Sequence, residues 1–194
     1  MSTYVSRRHL MAALLPVALA LLATNRPASG QQQEATAAST EEHKLLQKDV
    51  GTWDATIKIW AMPDADPIES KGTEKNELLP GGLWMISRFD GKIGDIPFAG
   101  VGVHGYDPVE KKYVGTWVDS MTPHMMATKG DYDQETQTMT MTGEGRDPAT
   151  GETYEARLIS RYVDENSRMF EFHMPGEDGQ RWKMMEIQYQ RRSQ

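Results

Sequence analysis

The segment from Met121 to Met126 reads Met-Thr-Pro-His-Met-Met and concentrates soft metal ligands in six positions. Thioether sulfur and imidazole nitrogen suit Cu(I), so His124 with Met121, Met125 and Met126 forms a candidate site for copper, or for haem. Methionine also fills irregular apolar space in protein cores. The segment therefore predicts either a metal or haem module or ordinary apolar packing.

Aromatic and charged residues share faces on two predicted strands. Trp117 and Asp119 lie on one face, and Trp84 and Arg88 lie on one face of an earlier strand. If these faces point inward, Arg88 pairs with Asp119 or Glu186, because a buried charge needs a partner. If they point outward, the charges are solvated, and a one-residue shift of register decides between the two. The predicted ligand-binding residues are Trp84, Arg88, Trp117, Asp119, Met121 and Glu186.

The sequence contains no convincing catalytic motif. Gly100 to Gly105 matches G-x-G-x-x-G, but that dinucleotide fingerprint must open a helix. Here the glycines run into the turn residues Asp107 and Pro108 between two strands, which indicates a bend in a sheet. Cysteine, H-E-x-x-H and G-x-S-x-G are absent. We therefore predict no catalytic residue and no cofactor.

Nine turn signals divide the chain after residue 51 into about ten strands. They fall at 63–67, 80–82, 90–97, 107–108, 121–124, 131–137, 147–151, 164–167 and 175–179. The short connections predict antiparallel neighbours, and closure would remove the two free edges. We predict an all-β, antiparallel up-and-down barrel, wide enough to enclose a ligand cavity. The rival is a flattened barrel or sandwich filled by its own Met and Trp residues.

A short helix is predicted before the first strand. Ser39 and Glu42 have the spacing of a capping box, and Leu45, Leu46 and Val50 form an apolar stripe that ends at Gly51. Trp53 then opens a strand whose alternate residues share its face. The barrel domain is predicted over 39–194.

The first 30 residues have the features of a twin-arginine signal peptide. Arg7 and Arg8 precede an apolar run, and Ala28 to Gly30 offer small residues for cleavage; the alternative is an uncut membrane anchor. Residues 31–38 are predicted to be a flexible tether. Cleavage would also remove Arg26 and change the net charge from −7 to about −10 (−7 − 3). We expect a periplasmic or secreted protein that binds neither nucleic acid nor, after cleavage, a membrane, because both need a basic patch.

Two resemblances support the barrel. Gly51-Thr52-Trp53 resembles the Gly-x-Trp signature of lipocalin and calycin barrels, in which a basic residue from the last strand lies across the Trp ring. This implies that Arg191 or Arg192 stacks on Trp53.

Residues 41–192 are also similar to an uncharacterised bacterial family, the domain of unknown function numbered 1579. The matching segments are 81–84, 98–102, 105–107, 113–121, 130–133 and 185–187. This resemblance implies a lipocalin-like barrel and exported members, and it carries over no catalytic residue because no activity is settled for the family.

The predicted function is an exported, lipocalin-like barrel that binds a small apolar molecule in its lumen. Two alternatives stay open. One is the copper or haem module at His124, and the other is an uncharacterised enzyme that uses Asp119 or Glu186 as a general base in the barrel mouth. The oligomeric state is not predicted.

Overall fold

The fold is known from a computed structural model that describes residues 39–147, 150–176 and 179–193. The predicted signal peptide and tether lie outside these residues. Within them no helix is long and apolar enough to cross a membrane. Ten strands follow one short helix, α1 (His43–Leu46), and a single 3-10 turn (Gln47–Asp49). The strands are β1 (Gly51–Ile59), β2 (Ile68–Leu78), β3 (Trp84–Ile93), β4 (Ile96–Asp107), β5 (Lys112–Asp119), β6 (Met126–Asp133), β7 (Thr138–Arg146), β8 (Thr153–Tyr162), β9 (Ser167–Pro175) and β10 (Arg181–Arg191).

The ten strands close into a barrel, which confirms the predicted fold. Each strand pairs with its neighbours in sequence, and β1 also pairs with β10. That closing pair is antiparallel and runs from Trp53 opposite Arg191 to Ile59 opposite Met185. No sheet edge is left free among these strands, so the sandwich alternative is excluded, and the flattened barrel filled by its own Met and Trp residues is not tested by closure.

The predicted capping box at Ser39 does not form. Helix α1 begins after Glu42 without a side-chain cap. Instead the Thr40 main-chain N–H donates to His43 Nδ1 at 3.0 Å, and the His43 ring is buried against the barrel. The imidazole therefore satisfies the Thr40 N–H just before the helix.

Alternation along the strands fixes which residues face the lumen. Trp53, Ala55 and Ile57 are buried, while Asp54 and Thr56 between them are exposed. Paired residues share a face of the sheet, so the inward set can be followed around the barrel through the register. A cluster of buried hydrophobic residues lies on β1, β3 and β10. That cluster consists of Trp53, Ala55, Ile57, Phe89, Ile187 and Tyr189.

The glycines of β4 make room for large neighbouring side chains. A Cβ on Gly100 would collide with the Trp117 ring inside the barrel, and a Cβ on Gly105 would lie 2.5 Å from the Trp84 ring outside it. The predicted reading of this segment as barrel wall rather than nucleotide fingerprint is thus confirmed by close packing.

The helix closes one end of the barrel, and five loops surround the other. At the closed end Tyr113 donates to the Glu42 carbonyl at 3.2 Å, and Tyr162 donates to the Asp49 carboxylate at 2.8 Å. Neighbouring tyrosine rings on β4, β5, β6 and β8 contact one another there. The open end carries the connections after β1, β3, β5, β7 and β9, so a ligand has one direction of approach.

Candidate functional site

The inward side chains differ in solvent exposure around the barrel. On the side of β5 to β9, many side chains point inward by register and yet keep accessible surface. These residues are Trp117, Met126, Thr128, Met139, Met141, Tyr154, Leu158, Ser160, Phe170 and Met174. A side chain that faces inward without being fully buried borders an internal space. Because most of this surface is thioether, aromatic or aliphatic, the space has mainly apolar walls.

The lumen floor is a buried ionic cluster, which we define as Arg168, Glu74, Asp49 and Tyr189. The Arg168 guanidinium donates to Glu74 Oε1, and its Nε lies 3.3 Å from Asp49 Oδ1. Tyr189 donates its hydroxyl proton to Glu74 Oε2 at 2.8 Å. Asn76 adds a bond from Nδ2 to Glu74 Oε1 at 2.8 Å. The buried carboxylate is therefore satisfied by charge and by hydrogen bonds together.

Two guanidinium groups lie against the Trp53 ring. The Arg191 Cζ is 4.0 Å from the ring centroid, and the Arg168 Cζ is 4.8 Å from it. The predicted stacking of a basic residue on Trp53 is thus confirmed for Arg191, which also donates to the carbonyls of Val50 and Lys48 at 2.5 and 2.6 Å. Arg192 instead pairs with Asp54 on the outer surface. Arg191 thereby ties the last strand to the segment that closes the barrel.

The environment of the lumen floor sets the ionisation of its groups. Burial by itself raises the pKa of Glu74, but Arg168 and the bonds from Asn76 and Tyr189 bring that pKa below its ordinary value. Burial lowers the pKa of Arg168, and the Glu74 and Asp49 charges outweigh this and raise it. The pair is therefore ionised at neutral pH. One cation faces two carboxylates, so the cluster itself carries excess negative charge.

His104 lies above this floor on β4. Its ring lies over two glycines, with Nε2 2.5 Å from where a Gly102 Cβ would stand and Nδ1 3.0 Å from that of Gly115. Burial lowers the pKa of His104, although Glu74 and Asp49 partly oppose this. The ring is therefore neutral at pH 7, and it still has accessible surface because it borders the lumen.

The lowered pKa of His104 predicts that acid weakens the fold. An unfolded chain binds this proton near pH 6.5, whereas the folded protein does not. Stability should consequently fall as the pH drops below about 6.5, by at most about 1.4 kcal/mol per pH unit for one proton. Glu74 does not contribute to this window, because its lowered pKa acts below about 4.5.

Urea unfolding of the wild type and His104→Gln at several pH values measures this effect. The variant should show a shallower loss of stability on the acid side. His124→Gln, at an exposed position in the loop after β5, is the matched control and should follow the wild type. A His104→Gln profile parallel to the wild type would contradict the assignment.

The predicted site residues divide between the two surfaces of the barrel. Trp117 and Asp119 face inward on β5, opposite Gly102 and Gly100. Asp119 accepts from Trp117 Nε1 at 3.1 Å and from the main-chain N–H groups of Met121 and Thr122 at 2.9 and 2.8 Å. Both oxygens of this carboxylate therefore hold the wall and its following loop.

The other predicted residues lie outside the lumen or at its rim. Trp84 and Arg88 are exposed on the outer face of β3, where they alternate with the buried Met85, Ser87 and Phe89. Glu186 is on the outer face of β10, paired with Lys183 and accepting from Gln188 Nε2 at 3.2 Å. Met121 is 47% exposed in the loop at the open end. Of the predicted ligand-binding residues, the structure thus brings Trp117 and Asp119 together on the inner wall, with the Met121 main chain bonded to Asp119 at the rim.

The predicted metal ligands lie in the same loop. His124 and Met125 are exposed, and Met126 begins β6 and faces inward. Among the residues that the structure describes, no group of three or more His, Asp or Glu side chains could hold a metal ion. Methionine sulfurs are not among those groups, so the copper alternative at His124, Met121, Met125 and Met126 stays a prediction.

Three polar residues of the lumen were not among the predicted site residues, namely Glu74, Arg168 and His104. Each is a polar residue at an inward position of a strand whose inward neighbours are partly apolar or glycine. The alternation of residues along β2 could have indicated the orientation of Glu74, because Glu74 and Asn76 pair with residues on the same face of β1 as Trp53. Following it required the register of several strands, which the sequence did not provide.

A hollow of about 790 Å³ lies elsewhere, beside the start of β1 and the end of β10. Its basic side chains are already engaged. Lys75 lies 2.9 Å from Glu77, Arg192 pairs with Asp54, and Arg191 binds main-chain carbonyls. This hollow therefore offers a ligand fewer uncommitted groups than the lumen does.

The ten antiparallel strands close around a lumen, and a short helix covers one end. This architecture is that of a lipocalin-like barrel. Residues 38–191 match the family described as Protein of unknown function (DUF1579). The chain belongs to this family, as the sequence resemblance predicted.

Solved structures share the fold at low sequence identity. An S-type phycobiliprotein lyase, CPES, from Guillardia theta is 13% identical, with a TM-score of 0.53 over 80% of this chain and 94% of that one. Rv2717c from M. tuberculosis is 11% identical, with a TM-score of 0.58 over 79% of this chain and 99% of that one. No curated protein matches the sequence. At such identities the likeness is one of fold.

Proposed function

We propose that the mature protein is an exported barrel that binds one small, mostly apolar molecule in its lumen. The observation that carries this proposal is the lining of β5 to β9, where inward side chains such as Met141, Leu158 and Phe170 keep accessible surface. A well-packed core leaves few such voids. A wall of thioether and aromatic groups adapts to apolar ligands of varied shape.

The rim of the open end supports the same proposal. Several large apolar side chains are exposed there, on the loops and strand ends around the opening. They are Met62, Ile68, Ile96, Met121 and Met125. Exposed apolar surface that borders an opening favours the passage of an apolar molecule. At the closed end the helix, the tyrosine rings and the ionic lumen floor support retention.

Export is proposed from the sequence of the first 30 residues. A twin-arginine signal followed by small residues at a cleavage site supports delivery of a folded protein out of the cytoplasm. The absence of cysteine in the whole sequence fits a fold that depends on strand pairing and packing.

Native mass spectrometry of the protein recovered from the periplasm tests both parts of the proposal. The expected mass is that of a chain cleaved after residue 30 with a non-covalent small molecule attached. A bare mass under gentle conditions counts against the ligand. Recovery of uncleaved chain in the membrane fraction counts against export as a mature soluble form, and it leaves the lumen proposal standing.

Filling the lumen should abolish binding without unfolding the barrel. Met141→Trp places a larger ring among inward residues of β7, and we expect loss of the bound mass with little loss of stability, because the space is not fully packed. Met169→Trp is the matched control, since Met169 alternates with buried Arg168 on β9 and faces outward. A dense core at Met141 would instead give an overpacking cost of about 1–3 kcal/mol, and that outcome would contradict an open lumen.

A further inference from the structure

His104 has hydrogen-bonding capacity that the described part of the chain does not use. Both ring nitrogens lie over glycine backbone, and neither bonds to any residue that the structure describes. The polar groups below it differ, because Glu74, Tyr189 and Arg168 bond to one another. A neutral imidazole offers one donor and one acceptor. His104 is an inward position of β4 that keeps accessible surface, so this unused capacity borders the lumen.

The wall around the ring consists of small residues. Gly102 and Gly115 flank His104 on two adjoining strands and carry no side chains to cover it. Across the sheet lie Ser87, paired with Gly102, and Thr128, paired with Gly115. Small and hydroxyl-bearing neighbours of this kind make the region polar in an otherwise apolar lumen.

The charge below the ring selects among ligand head groups. Arg168 is shared between Glu74 and Asp49, so its positive charge is already balanced and the cluster is negative overall. An anionic head group would approach that excess negative charge in a poorly solvated space, which is unfavourable. A neutral group that both donates and accepts, such as a hydroxyl, satisfies the imidazole without adding a charge.

We propose that His104 is the polar anchor of the lumen and binds the neutral, donor-and-acceptor head group of an apolar ligand. This inference rests on the proposed function, because it assigns a role within the same lumen. It names an alcohol-like head group as the preferred chemistry, in contrast to a carboxylate. It also accounts for an inward-facing histidine that has no hydrogen-bond partner among the residues that the structure describes.

Binding of three probes with the same alkyl chain tests the anchor. The probes are 1-decanol, decanoate and decyl methyl ether, whose oxygen accepts but cannot donate, measured by displacement of a lumen-bound fluorescent dye at pH 7.5. The wild type should bind decanol about tenfold more tightly than the other two, as expected for hydrogen bonds that only the alcohol completes. His104→Phe should remove this preference, and it should weaken the binding of decanol more than that of the ether, which can complete only one of the two hydrogen bonds with the imidazole.

A conservative variant and a spectroscopic readout separate anchoring from a structural role. His104→Gln keeps a donor and an acceptor and should retain most of the preference for decanol. In the wild type, the ¹⁵N shifts of the His104 ring should move towards one tautomer with decanol but not with the ether. A merely structural histidine would show neither effect.

The outcomes distinguish the two proposals. If all three probes bind equally to wild type and His104→Phe, or if decanoate binds best, the anchor is wrong and the lumen remains a binding site. If neither the dye nor any probe binds, the proposed function fails and the anchor fails with it. A preference for decanol that disappears in His104→Phe and persists in His104→Gln supports both.

Discussion

Replacing Arg168 by alanine is expected to lower the free energy of unfolding by about 3–5 kcal/mol. The side chain is 9% exposed and lies between two carboxylates, Glu74 and Asp49, that share the inside of the barrel. Removing the guanidinium leaves their negative charges without a buried cation. It also removes the group that covers the Tyr189 ring at 3.9 Å from Cζ to the ring centroid. Denaturant unfolding at pH 7 measures the loss.

The loss of charge compensation also predicts how the destabilisation by Arg168→Ala depends on pH. Without Arg168 the pKa of Glu74 should rise, because burial raises it and the opposing charge is gone. Protonation of Glu74 then relieves the unpaired charge. The gap in stability between the variant and the wild type should therefore narrow as the pH falls from 7 towards 4. A gap independent of pH would show that lost packing, rather than charge, is responsible.

Arg192→Ala is the matched control, because Arg192 also pairs with a carboxylate, Asp54, but on the outer surface. The two side chains are 51% and 56% exposed, and water screens such pairs effectively. The unfolding midpoint of Arg192→Ala should therefore remain close to that of the wild type. Replacing both Arg168 and Glu74 by methionine should recover part of the loss from Arg168→Ala, since it removes one of the uncompensated charges. Equal effects of the two alanine variants would contradict the buried-cluster interpretation.

The strands and their order could be predicted because they depend on local signals. The residues that end each strand, such as Asp107 and Pro108, form turns wherever they occur. Alternation from Trp53 to Ile59 marks a strand with one buried face. Short connections then leave little choice of topology, and the need to satisfy edge strands favours closure. Each of these steps uses only neighbouring residues.

The inward or outward orientation of a strand could not be predicted in the same way. Trp84 with Arg88 and Trp117 with Asp119 have the same pattern of an aromatic and a charge, yet they face opposite sides of the wall. On β3 the inner positions are taken by the alternate residues, among them Met85 and Phe89, and this leaves Trp84 and Arg88 on the outer face. The choice depends on the register with β2 and β4, where one step exchanges the faces.

The lumen floor could not be predicted because its members are distant in sequence. Arg168 and Glu74 are separated by 94 residues and are joined only when β9, β10, β1 and β2 lie side by side. In the sequence each is one charged residue within a strand, and the simplest interpretation is a solvated position. Their burial follows from barrel closure, which the sequence indicated only through its overall rhythm.

Trp53→Ala is expected to cost about 3–5 kcal/mol, the range for removing a fully buried large aromatic side chain. The ring is 1% exposed and packs with Ala55, Ile57 and Tyr189 in the barrel core. Its Nε1 donates to the Asp49 carbonyl at 2.8 Å, so truncation also removes the bond that joins β1 to the turn after α1. Denaturant unfolding, with intrinsic fluorescence replaced by circular dichroism, measures the change.

Trp84→Ala gives the comparison that isolates the lumen side of the wall. Trp84 is 40% exposed and packs on the outer face over Gly105, so its removal leaves no internal cavity and should cost about 1–2 kcal/mol. Ligand binding should be unchanged in Trp84→Ala, because the ring does not face the lumen. If the two tryptophan variants lost stability equally, or if Trp84→Ala abolished binding, the assignment of inner and outer faces on β3 would have to be reversed, and with it the lumen lining that the register predicts.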